Sequence, residues 1–137
     1  MLKRNSRLSL ALHTLGHMAS EPETVRTSAQ IAEHAGTNAV VVRRVLGKLR
    51  KAGLLVSEKG HAGGWMLARA PGEISLADVY LALDEKLVAP EIDAQPHSCS
   101  IEKTLHQRVS NIMVEVENTL VDRLSTTTIA DVGHRAV

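Results

Sequence analysis

At 137 residues the chain is long enough for one domain with a real core, or a small domain with a dimerisation arm, and too short for two ordinary domains. With 44% hydrophobic and 23% charged residues it has the make-up of a soluble protein, and no run approaches the ~20 apolar residues that span a bilayer, which argues against membrane insertion. The formal net charge of +1 hides an asymmetry: residues 37–61 carry six bases against the single acid Glu58, whereas residues 71–122 carry ten acids against three bases.

Lys3, Arg4 and Arg7 precede an apolar stretch in the manner of a signal peptide, but His13 and His17 interrupt that stretch and no small-residue cleavage site precedes Glu21. A cytoplasmic location is expected. Leu8, Ala11, Leu12, Leu15, Met18 and Ala19 recur at helical spacing, predicting an amphipathic helix over about 6–20 that ends at Glu21-Pro22. Thr27 and Gln30 have capping-box spacing, and Ile31, Ala32 and Ala35 mark a short helix stopped at Gly36. Asn38 can cap a second helix whose Val42, Val45, Leu46 and Leu49 face inward while Arg43, Arg44, Lys48 and Lys51 project elsewhere, with Gly53 closing it. A short helix, a glycine-containing turn and a basic second helix are the outline of a helix-turn-helix. The basic run is then a candidate footprint for a polyanion, a solvated helix face being the alternative.

Leu54-Leu55-Val56 reads as a strand, Lys59 to Gly64 as a flexible tip and Trp65-Met66-Leu67 as a returning strand, together a β-wing. Glycines around Lys59 and His61 let the tip approach a phosphate or enter a minor groove. Trp65 and Tyr80 are the only aromatics, too few to stack single-stranded bases. Ser75 and Asp78 have capping-box spacing, with Ile74 and Val79 as a staple, for a helix running to about Glu85. Residues 86–100 lack periodicity and form a candidate sensing loop. Ile101, Leu105, Val109, Ile112, Val116, Leu120 and Leu124 then step by three or four along one long helix, a seam that an identical partner helix would cover in a two-fold dimer. The alternative is packing back on its own domain.

Cys99 is the sole cysteine, which excludes an intrachain disulfide and a four-cysteine zinc site within one chain. No phosphate loop, paired catalytic carboxylates or Ser/His/Asp arrangement stands out, and Gly60, Gly63 and Gly64 do not open a helix after a strand, so an enzyme is not expected. The expected fold is mainly α with a small β-wing: a winged helix-turn-helix domain over 1–85, the loop 86–100, and a dimerisation helix with a C-terminal tail over 101–137.

Thr27-Ser28-Ala29-Gln30-Ile31-Ala32, the run from Val41 to Leu54, and Gly63-Gly64-Trp65-Met66-Leu67 together resemble the Rrf-two family of bacterial winged-helix regulators, which includes iron–sulfur, nitric-oxide and cysteine-supply sensors; the resemblance covers nearly the whole chain. The family's usual Pro before the wing glycines is replaced here by His61-Ala62, and its Tyr or Phe after them by Trp65. The resemblance implies a DNA-binding transcriptional regulator acting as a repressor homodimer, with Ser28, Asn38, Val40, Val41, Arg43, Arg44, Lys48, Lys59, His61 and Gly63 at or near double-stranded DNA. The rival is a winged-helix protein-interaction module whose basic stripe meets an acidic partner. Cluster-binding members carry three cysteines where this chain has only Cys99, so a conventional cluster cannot form and no cofactor is expected. Candidate sensor residues are Cys99, His97 and His106, with His13 approaching from a partner chain. They suggest an oxidant-sensitive thiol or, less conventionally, a His/Cys metal or iron–sulfur site; a small-molecule effector is the other signal.

Overall fold

The first helix, α1 (Ser6–Ser20), turns Leu8, Ala11, Leu15 and Met18 inward, the face its periodicity predicts. The computed structural model describes residues 6–58, 64–88 and 99–133. After α1 comes a two-residue strand, β1 (Arg26–Thr27), then α2 (Ser28–Ala35) and α3 (Ala39–Lys51). Both caps form as the sequence indicates. Thr27 Oγ1 accepts from the Gln30 backbone N–H at 3.1 Å while the Gln30 side chain accepts from the Thr27 N–H at 2.9 Å, and Asn38 Oδ1 accepts from the Val41 N–H at 3.0 Å. Between the helices Gly36 sits at φ 72°, a left-handed conformation that reverses the chain and costs a Cβ-bearing residue energy.

Val42, Val45, Leu46 and Leu49 of α3 are buried at the centre of the core, against α1, α2 and α4 (Leu76–Leu83). The wing strands are β2 (Leu55–Ser57) and β3 (Gly64–Leu67), antiparallel, with Leu55 opposite Leu67 and Ser57 opposite Trp65. The sheet has a third member that the sequence pattern does not announce: β1 pairs with β3, giving the order β1-β3-β2. Here Gly64 has a structural duty, because a Cβ at this position would run into the Val25 side chain beside β1. Ser75 and Asp78 complete the second capping box, and α4 ends at Leu83, slightly before the expected Glu85, with Asp84 at φ 53°.

The long helix α5 (Ser100–Leu124) spans 25 residues, roughly 37 Å at helical rise. Its two halves differ. Leu120, Val121 and Leu124 pack on the core, and Glu117 is buried, its carboxylate accepting a 2.8 Å hydrogen bond from the Tyr80 hydroxyl, which itself accepts from the Leu87 N–H at 2.6 Å. Burial pushes the Tyr80 phenol above its ordinary pKa, keeping it protonated as donor. The expectation of one uniform seam is therefore corrected at Leu120 and Leu124, which pack against their own domain.

The C-terminal segment also departs from expectation. A final helix, α6 (Ile129–Gly133), folds back onto α1; the Ile129 N–H donates to Ile74 O at 2.8 Å, the Leu76 N–H to Thr127 O at 2.9 Å, and Ile129 is fully buried. Residues 125–133 therefore belong to the same core as the winged domain rather than forming a tail beyond a dimerisation helix.

Candidate nucleic-acid interface

On the outer side of α3, Val40 is 56% exposed and Arg43, Arg44, Arg50 and Lys51 are exposed. Arg43 and Arg44 make no ion pair among the described residues. An exposed helix carrying free guanidinium groups, braced from behind by a fully buried face, presents donors to a polyanionic groove without disturbing the core.

Other expected contacts lie elsewhere. Ser28 is buried, and its hydroxyl accepts a 2.9 Å hydrogen bond from Trp65 Nε1, so it ties the first helix of the motif to the wing instead of facing DNA. The cause is the indole: a buried Trp N–H needs an acceptor, and Ser28 supplies it. Val41 is half-buried against the core. Lys48 donates to Leu83 O at 3.2 Å and lies 4.0 Å from Glu85, drawn towards the end of α4. Asn38 is exposed but commits its carbonyl oxygen to the cap of α3. Lys59, His61 and Gly63 lie outside the described residues.

Along α5, Ile101, Leu105, Val109, Ile112 and Val116 form an apolar row 46–68% exposed. Such a row of large aliphatic side chains is unusual for a helix whose other end is docked in a core. Cys99 is exposed at the N-cap of α5, where the backbone N–H groups of Glu102 and Ile101 draw its thiol below the usual range. His106 is half-buried on the second turn of the same helix, and His97 lies outside the described residues.

The structure groups His13 with His17 of α1 and His34 of α2, a set that sequence reasoning did not assemble. His17 is half-buried, and burial, then the neighbouring His13 and His34 rings, then Arg26, hold its pKa below that of a free imidazole, with Glu21 opposing. The three rings border a cavity of about 290 Å³ between α1, β1 and α2, also lined by Thr14, Glu21 and Arg26. The spacing of His13 and His17, four residues apart on one helix, was the available sequence signal.

A family profile described as "Rrf2: Iron-dependent Transcriptional regulator" matches residues 4–135. The chain is 33% identical over 130 residues to YwnA of Bacillus subtilis (strain 168), provisionally named an HTH-type transcriptional regulator, covering 93% of this chain and 95% of that protein. It is 39% identical over 61 residues to the HTH-type transcriptional regulator IscR of Aliivibrio salmonicida (strain LFI1238), covering 44% of this chain and 36% of that one. The fold matches the solved structure of CymR, the global cysteine regulator of B. subtilis, with a TM-score of 0.69 at 21% identity over 100% of both chains.

Proposed function

Because the chain belongs to the Rrf2 family of DNA-binding transcriptional regulators, we propose that it acts as a homodimeric repressor that places α3 in successive major grooves and occludes a promoter. The observation that carries this reading is the exposed face of α3, with Arg43 and Arg44 free of ion pairs among the described residues and Val40 open to solvent beside them. Arg43 reads guanine by a bidentate contact, Val40 touches thymine methyls, and Arg44 and Lys51 neutralise phosphate. Asn38 and Lys48 flank this surface, and Lys59, His61 and Gly63 hold the wing on the backbone or in the minor groove. The exposed row from Ile101 to Val116 supplies the dimer contact, which places two α3 helices about one duplex turn apart, the spacing of a two-fold operator.

Arg43→Ala is expected to weaken operator binding by about 1–3 kcal/mol and binding to random duplex by less, because a base contact is lost along with a charge. Titrating both duplexes at one salt concentration measures this. Equal losses would assign Arg43 to phosphate alone.

The regulatory input in this reading is oxidation of Cys99, supported by its exposure and by the helix N-terminus that favours its thiolate. Attack of the thiolate on peroxide forms an S–O bond, breaks the O–O bond and releases hydroxide, leaving a sulfenic acid. A three-cysteine iron–sulfur cluster does not fit a chain with one cysteine. Peroxide is expected to change operator affinity in the native protein and leave Cys99→Ser unaffected. An equal response of both, or of neither, would transfer the signal to a small-molecule ligand.

A further inference from the structure

Nε2 of His17 lies 3.1 Å from Nε2 of His13 and 3.1 Å from Nε2 of His34, and ligand atoms of all three rings lie within 4.8 Å of one another. An imidazole nitrogen carries either one proton or one in-plane lone pair, so Nε2 of His17 cannot complete a hydrogen bond with both neighbours. A cation resolves this conflict. Three neutral imidazoles bound at about 2.0–2.1 Å with tetrahedral angles hold their nitrogens roughly 3.3 Å apart, close to the two short separations here. Closing the third separation needs only a side-chain adjustment of His13 and His34, both of which are exposed.

We propose that His13, His17 and His34 form a binding site for a divalent first-row transition-metal ion of the zinc type, bridging α1 and α2. A set of imidazoles without thiolates suits zinc and its neighbours in the first transition row and disfavours magnesium or calcium, which prefer oxygen. Three protein ligands leave further coordination positions open towards the cavity. Thr14 also borders that cavity, and its buried hydroxyl has no hydrogen-bond partner among the described residues. The Arg26 guanidinium, also at the cavity, is paired with Glu21 at 2.9 Å, which offsets its repulsion of a cation. This site is distinct from the Cys99 region, and the ion would pin the first helix of the DNA-reading motif to α1.

The test is calorimetric titration of tag-free, chelator-treated full-length protein with zinc alone, beside His17→Gln and His34→Gln. The native chain is expected to bind one ion, and each variant to bind roughly 100-fold more weakly or worse. Affinity should collapse towards pH ~5, where protons compete for the imidazoles. Cobalt substituted for zinc should give visible ligand-field bands that both variants lose, and a hundredfold excess of zinc over its Kd should raise the native Tm by roughly 8 °C without moving that of His34→Gln. Because His34 is exposed, its replacement preserves the fold, as circular dichroism would verify. The proposal is overturned by absence of saturable zinc binding, by unchanged affinity in both variants, or by a cobalt spectrum that survives His34→Gln.

Discussion

If the proposed two-fold dimer forms through α5, Ile112→Asp should convert it into monomers and reduce affinity for a two-fold operator by 100-fold or more. Ile112 is 57% exposed near the middle of the row formed by Ile101, Leu105, Val109 and Val116. A two-fold axis would bring each copy of this position close to its counterpart, so a single substitution introduces two carboxylates into one apolar contact. Burying an ionised carboxylate without a partner is strongly unfavourable, and removing one half of a bivalent grip forfeits an avidity of about 10²–10⁴. Because the side chain faces solvent within the protomer, the fold survives. Sedimentation velocity reports the mass, and titration of full and half operator sites reports the loss of avidity. An Ile112→Asp protein that remained dimeric with native operator affinity would place the interface elsewhere. Truncation after Ser100 is a poorer test, since it also removes Leu120, Val121, Leu124 and Ile129 from the protomer's own core.

Ile129→Ala should lower the free energy of unfolding by about 2–5 kcal/mol. Ile129 is fully buried between α1 and the start of α4, and its backbone N–H is bonded to Ile74 O, so neighbouring groups cannot readily collapse into the space left behind. Against a typical total of about 5–15 kcal/mol this is a large share, expected to lower Tm by roughly 10 °C. Urea denaturation followed by circular dichroism gives the value. A change below about 1 kcal/mol would mean that α6 rests on the domain without supporting it.

The elements legible in the sequence are those whose instructions lie within a few residues of each other. Thr27 with Gln30, Asn38 with Val41 and Ser75 with Asp78 form their caps locally, so the starts of α2, α3 and α4 follow from sequence alone. The inward face of α3 follows from the spacing of Val42, Val45, Leu46 and Leu49, and its basic outer face follows with it. The helix-turn-helix and its polarity are therefore written in the order of the residues themselves.

Features that join distant parts of the chain are not. β1 has two residues, too few for periodicity, and exists because β3 offers it an edge. Ser28 looks like a polar helix start until Trp65, 37 residues later, claims its hydroxyl. Leu120 and Leu124 continue the spacing of Ile112 and Val116, yet the core covers one pair and leaves the other exposed, because periodicity specifies a face and not its partner. His34 joins His13 and His17 only when α2 folds against α1, and Ile129 enters the core only when the chain returns from α5. Capping and helical periodicity are local and act through the sequence itself. Burial of one segment by another depends on where the chain returns, and tertiary packing alone decides that.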